Sequence, residues 1–321
     1  MSDKSASADG DLWNRVHLGS AERMPEIPGD SIHACVTSPP YFGLRDYGVD
    51  GQIGREPSLE AYVARLVGVF REVRRVLRPD GTLWLNLGDC YAPSRATNRR
   101  VNRRAGGFKE KDQMLVPHAV AMALRADGWW LRDTIVWHKP NRMPSSVTDR
   151  TTLAHEYVFL LTKNPRYFYD QDAIREPLAE SSIARLSQNV DAQKGSTRAH
   201  ARGKTNGAMK AITWQPRKAA GDEGFIGANA RSVWSIPTEP YTGEHSAIMP
   251  RELARRCILA GSPKDGIILD PFMGTGTTAE VAIGLRDQSR ISHTHPGPSR
   301  SVWCSMNSQA LDIIYFDGSA N

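Results

Sequence analysis

The sequence predicts an α/β protein built on a doubly wound, mostly parallel sheet, and three observations predict it. Short apolar runs alternate with amphipathic helical stretches along most of the chain, as in a parallel sheet covered by helices. Two of the runs, His33-Ala34-Cys35-Val36 and Gly266-Ile267-Ile268-Leu269, lead into loops of special composition. These are Thr37-Ser38-Pro39-Pro40-Tyr41 and Asp270-Pro271-Phe272-Met273-Gly274-Thr275-Gly276-Thr277-Thr278, at the strand ends where open α/β sheets hold ligands. Finally, the glycine-rich loop comes so late that most of its sheet must be supplied by earlier residues, which makes the topology permuted.

The elements follow in order. Arg15 to Leu18 and Ser31 to Val36 read as short strands around a Pro/Gly loop. Leu59, Val63, Leu66, Phe70, Val73 and Leu77 recur at three- and four-residue spacing, an amphipathic helix capped by Ser58 and ended by an Arg78-Pro79-Asp80-Gly81 turn. Thr82 to Leu87 is a strand, Pro117 to Ala126 a helix closed by Asp127-Gly128, and Trp129 to Trp137 and Glu156 to Leu161 are strands. Pro250 to Ala260 is a helix preceding the strand of the glycine loop, and Ser301 to Cys304 reads as a delayed final strand.

Two segments break the alternation. Residues 91–113 carry Arg95, Arg99, Arg100, Arg103, Arg104, Lys109 and Lys111 among few apolar residues. Residues 171–232 lack periodicity and carry Arg185, Lys194, Arg198, Arg202, Lys204, Lys210, Arg217 and Lys218. The chain therefore divides into a first part of the main domain over 1–170, a separate region over 171–232, and a last part over 233–321.

The 321 residues are 40% hydrophobic and 8% aromatic, enough for a large core. A formal net charge of +6 leans toward a polyanionic partner. The four cysteines, Cys35, Cys90, Cys257 and Cys304, form no CxxC pair, so neither structural zinc nor a disulfide framework is expected, and a reducing cytoplasm fits. No metal site is expected. The first ten residues hold no apolar signal core and no run is long enough to span a bilayer, so no membrane partner is expected.

Gly274-Thr275-Gly276-Thr277-Thr278-Ala279 fits the loose dinucleotide pattern, but no lysine follows to make a P-loop. Too little chain remains after it for the βαβαβ half that a nicotinamide domain needs, so an oxidoreductase is disfavoured. On the loop alone, a plain strand-to-helix turn competes with a cofactor site. In the other loop, two prolines fix φ and remove two donors, leaving carbonyls as acceptors. Ser38 adds a hydroxyl acceptor and Tyr41 a stacking ring, a set suited to a planar heterocycle with an exocyclic amino group. The competing reading is a Pro-Pro turn whose tyrosine packs on the core.

Taken together, the two loops resemble those of the DNA amino-methyltransferases acting on cytosine N4 or adenine N6, in the order catalytic motif, target recognition, cofactor loop. Ser38-Pro39-Pro40-Tyr41 matches the family's Ser/Asp/Asn-Pro-Pro-Tyr/Phe, and residues 270–278 match its Asp-Pro-Phe-x-Gly-Ser/Thr-Gly-Thr-Thr in full. Val76 to Thr82, Asp127-Gly128-Trp129, Trp137-His138-Lys139-Pro140-Asn141, His155-Glu156-Tyr157 and His245 to Leu253 are similar too. The resemblance covers residues 14 to about 285. It implies the Rossmann-like fold of S-adenosylmethionine (SAM)-dependent methyltransferases, a SAM cofactor, and double-stranded DNA whose target base is flipped into the pocket.

By this resemblance Ser38 and the Pro39 carbonyl hold the amino group, Pro40 stiffens the loop and Tyr41 stacks on the base. Asp270, Pro271, Phe272, Gly274, Thr275, Gly276, Thr277, Thr278, His245 and Ser20 are the cofactor residues it implies. Arg95, Arg99, Arg100, Arg103, Arg104, Lys194, Arg198, Arg202 and Lys204 are the candidates for phosphate contact; a solvated loop is the competing reading for both basic segments. The resemblance admits a cognate restriction endonuclease as a partner and leaves the oligomeric state open.

In this family Ser at position 38 accompanies cytosine N4 chemistry, with adenine N6 the alternative. Methylation at cytosine C5 needs a cysteine nucleophile, and no Pro-Cys dipeptide occurs. His138, His155 and His245 stand singly and bond locally. Beyond Leu285 the chain departs from the family: Arg286 to Arg300 intervenes, and Ser305 and Met306 stand where an acidic ribose-binding residue is expected. Asp287 and Asp312 are substitutes, neither well placed, and Ser20 takes the place of a common Asp. A DNA-binding protein of this fold without catalysis is the rival from another class.

Overall fold

The computed structural model describes residues 15–18, 20–44, 51–92, 108–178, 180–186, 227–240, 249–292 and 301–306. In chain order the elements are β1 (Arg15–Leu18), β2 (Ile32–Thr37), α1 (Leu59–Val76), β3 (Leu77–Leu87), α2 (Val116–Ala126), β4 (Trp130–His138), β5 (His155–Thr162), α3 (Glu180–Leu186), β6 (Val233–Ser235), α4 (Arg251–Gly261), β7 (Ile267–Asp270), α5 (Thr277–Ser292) and β8 (Ser301–Met306). The strands form one sheet in the order β1-β8-β7-β2-β3-β5-β4-β6. Among the described residues only the two pairings of β5, with β3 and with β4, are antiparallel. The other neighbours run parallel, which is the mostly parallel α/β sheet expected.

The helices form for the reasons the sequence suggests. The Ser58 hydroxyl accepts from the Ala61 N–H at 3.2 Å and caps α1. From there Leu59, Tyr62, Leu66, Phe70, Val73 and Val76 turn one buried stripe toward the sheet. Pro117 at the start of α2 costs no hydrogen bond there. Cys35 lies at the centre of the core, fully buried.

Two expectations change. Arg78-Pro79-Asp80-Gly81 is not a separate turn but part of β3. Ile32 of β2 pairs with Leu77 and Ala34 with Thr82, so the extra residues of β3 bulge out in extended backbone. The stretch after Leu285, expected to break the pattern at once, instead continues α5 to Ser292. The chain then returns as β8, which pairs with β7 on one side and β1 on the other.

Backbone proximity divides the chain into two compact units, residues 1–170 with 232–321, and residues 171–231. Within the second, Glu176 and Ala228 form a bridge, and Arg231 pairs with Glu176 at 2.8 Å. Among the described residues no helix is long and apolar enough to cross a membrane.

Candidate active site

Because β2 and β7 are parallel neighbours, with Ala34 opposite Ile268 and Cys35 opposite Leu269, their loops leave the same edge of the sheet side by side. They are also bonded to each other. The Thr37 hydroxyl donates to Asp270 Oδ1 at 2.6 Å, and the same oxygen accepts the Phe272 N–H at 3.0 Å. Thr278, in the first turn of α5, donates back to the Val36 carbonyl at 3.3 Å. Burial raises the Asp270 carboxyl above its usual range, and the hydrogen bonds from Thr37 and Phe272 oppose that shift. Removing this carboxylate leaves the buried Thr37 hydroxyl and the half-buried Phe272 N–H without their acceptor. Asp270→Ala is therefore expected to lower stability by about 1–3 kcal/mol, read as a shifted urea midpoint; an unchanged midpoint would show that the seam holds without it.

Gly274 and Gly276 both have positive φ, 52° and 81°. At Gly274 the space a side chain would take is open, with only the Phe272 carbonyl nearby at 3.9 Å. This exposed backbone, three residues ahead of the start of α5, could receive the carboxylate end of a small molecule. Ser20 follows β1 at the same edge of the sheet, exposed, its hydroxyl accepting the Glu22 N–H at 3.2 Å. His245 and all nine candidate phosphate-contacting residues lie outside the described residues, as does Asp312. β8 ends in Ser305 and Met306, and no acidic residue occurs within it.

On the β2 side, the Pro40 carbonyl accepts the Tyr62 hydroxyl at 2.9 Å, which ties the rigid loop to α1. Ser38 is half-buried. The Tyr41 ring is partly covered, whereas its hydroxyl is buried and its ionisation is pushed well upward, by burial first and by the Glu156 charge second. That hydroxyl donates to Glu156 Oε2 at 2.8 Å and lies 3.2 Å from Asn86 Oδ1. The Ser38 hydroxyl points at it from 3.4 Å. Glu156 is ion-paired with Lys139, whose ammonium also sits 4.2 Å from the centre of the Trp137 ring.

Sequence reasoning assigned no role to Asn86, Glu156 or Lys139. Asn86 is a nearly fully buried polar residue inside the apolar run of β3, and that mismatch is the signal that marks it. Glu156 and Lys139 come from opposite arms of the β4–β5 hairpin, where Trp137 is paired with Glu156. His155 bonds locally, to Tyr157 two residues on at 3.3 Å, whereas His138 bonds across the sheet to Ser235 of β6 at 3.1 Å.

The DNA methylase family profile, for N6 and N4 methyltransferases, matches residues 32–315. The chain is 40% identical over 280 residues to the type II methyltransferase M.SmaI of Serratia marcescens, covering 83% of this chain and 82% of that one. It is also 40% identical over 270 residues to M.Cfr9I of Citrobacter freundii, covering 80% and 75%. In fold it is similar to the cytosine-N4-specific PvuII DNA methyltransferase, with a TM-score of 0.57 at 16% identity over 94% of this chain and 87% of that one. A Thermus thermophilus protein described as a DNA modification methylase, complexed with SAM, gives 0.52 at 23% identity over 92% and 88%. Two loops hydrogen-bonded across neighbouring strands, and a sequence match spanning nearly the whole sheet, carry one conclusion: this chain belongs to the N6/N4 DNA methylase family, whose methyl donor is SAM.

Proposed function

We propose that this protein methylates the exocyclic N4 of a cytosine flipped out of duplex DNA at a specific short sequence. The observation that carries the reading is the Ser38-Pro39-Pro40-Tyr41 loop placed beside the glycine loop and bonded to it through Thr37 and Asp270. In this reading SAM supplies an electrophilic methyl group. Asp270 to Thr278 with Ser20 and His245 hold the donor, the open backbone at Gly274 receiving its carboxylate end. Ser38 Oγ and the Pro39 carbonyl accept the two amino hydrogens, which concentrates the nitrogen lone pair and aims it at the methyl carbon. The partly uncovered Tyr41 ring stacks on the base and fixes its plane.

Residues 171–232 serve as the target-recognition region, and the arginines of 95–104 with Lys194, Arg198, Arg202 and Lys204 contact phosphates. The type II names of the relatives support a setting in restriction and modification beside a cognate endonuclease, in the cytoplasm. Ser38 favours cytosine; the same site geometry would serve adenine N6.

The test is expression in a methylation-free host followed by nucleoside mass spectrometry and mapping of the modified sequence. N4-methylcytosine at one motif is the expected product. N6-methyladenine would overturn the choice of base, and neither product would favour a DNA-binding protein without catalysis.

A further inference from the structure

We propose that Glu156 is a positioning residue that sets the direction of the hydrogen bonds at Ser38, so that the pocket accepts an amino-bearing base and rejects a keto-bearing one. The proposal rests on the reading that Ser38 meets the target amino group.

A serine hydroxyl donates as readily as it accepts, so Ser38 selects an amino group only if its own proton is committed elsewhere. The chain of contacts supplies that commitment. Lys139 can only donate, and it holds Glu156 Oε1. The Asn86 amide is oriented by its Nδ2, which donates to the Tyr157 carbonyl at 3.2 Å and to Glu156 Oε2 at 3.3 Å, so its oxygen faces Tyr41. Tyr41 therefore meets two acceptors, the Glu156 carboxylate at 2.8 Å and Asn86 Oδ1 at 3.2 Å, and must spend its single proton on them. Its oxygen is left to accept from Ser38 at 3.4 Å. The Ser38 lone pairs are then left for the substrate. A keto oxygen in the same place would meet only lone pairs, and a buried acceptor without a donor is costly.

Glu156→Gln loosens this order while keeping the shape. Lys139 requires the glutamine oxygen on its side, which turns the amide NH2 toward the Tyr41 hydroxyl and leaves Asn86 Nδ2 with the Tyr157 carbonyl alone. Tyr41 then accepts where it had donated and keeps only Asn86 Oδ1, at 3.2 Å, to hold its proton, so that proton is shared between Asn86 and Ser38 and the Ser38 proton is no longer fully committed. Tyr41→Phe cuts the same chain without touching the Lys139–Glu156 pair.

The experiment uses the full chain and a duplex carrying its mapped site, with either the target base or its keto counterpart (uracil for cytosine, hypoxanthine for adenine). Single-turnover methylation, SAM affinity and the affinity for both duplexes are measured. Comparing variants on the same two duplexes cancels the cost of opening the base pair. Glu156→Gln is expected to lower the methylation rate roughly 10- to 100-fold, the range of one unmade buried hydrogen bond, with SAM affinity unchanged. It should narrow the amino-over-keto preference by a similar factor. Tyr41→Phe should act in the same direction, and the double variant should be no worse than the poorer single one. A Glu156→Gln protein that loses rate but keeps the wild-type base preference would overturn the proposal, as would one that keeps both. Failure of the underlying reading is separately visible, because the wild-type protein would then methylate no amino group in the duplex.

Discussion

Gly88→Ala is expected to cut single-turnover methylation about a hundredfold, the size of effect that a misplacement near 1 Å produces at a reacting centre. Gly88 is buried just past the end of β3, beside Tyr41 of the Ser38–Tyr41 loop. A methyl group added there would lie 2.6 Å from Tyr41 Cε2 and 3.2 Å from the Glu156 carboxylate. Carbon atoms do not approach so closely, so the Tyr41 ring has to move, and the hydroxyl that anchors it to Glu156 and Asn86 moves with it. The plane of the Tyr41 ring, proposed to stack on the base, and the Ser38 contact are disturbed together. In the proposed site SAM is held by the other loop, so SAM affinity should stay within about twofold, inside the scatter of independent sites. A variant with the wild-type rate would mean that the Tyr41 position seen here is not the working one.

Gly261→Ala is expected to destabilise the fold by about 3 kcal/mol or more, at the upper end of what overpacking costs. Gly261 ends α4, and an added methyl would lie 2.1 Å from Trp84 Nε1 and 2.6 Å from Thr82 Oγ1. Neither neighbour can yield cheaply. Trp84 is fully buried and donates to Thr82 Oγ1 at 3.1 Å, and Thr82 donates to the Gly261 carbonyl at 2.8 Å. The indole also stacks on Trp234 with centroids 6.3 Å apart, so displacement would spread along the sheet. Urea unfolding measures the loss. A midpoint close to wild type would show that α4 slides on the sheet without penalty.

Helix α1 and the strands β2, β3, β5 and β7 are legible because their signals are local: a buried stripe at helical spacing, or an apolar run closed by turn residues. The two loops are legible because rigidity and glycine freedom are properties of the residues themselves. What the sequence hides is mutual position. Nothing local says that Thr37 bonds to Asp270, or that Lys139 and Glu156 meet beneath Tyr41, since each pair is made by strand register. Asn86 passes for one more residue of an apolar strand until its partners on β5 are seen. Arg78 to Gly81 carries turn chemistry, yet pairing with β2 on both sides absorbs it as a bulge. The acidic residue expected to hold the donor's ribose hydroxyls does not stand on β8, which closes on Ser305 and Met306.

The pairing of β1 with β8 gives the order of synthesis a physical meaning. Among the described residues, the strand nearest the start of the chain has no ladder partner except one of the last strands made. While the nascent polypeptide is threaded from the ribosome, β1 must wait for residues 301–306, roughly 15–60 s at ordinary translation speeds. Until then β7, once made, has an open edge on the side that β8 will cover. A product stalled before residues 301–306 would therefore lack the β1–β8 pairing and expose strand edges inviting aggregation.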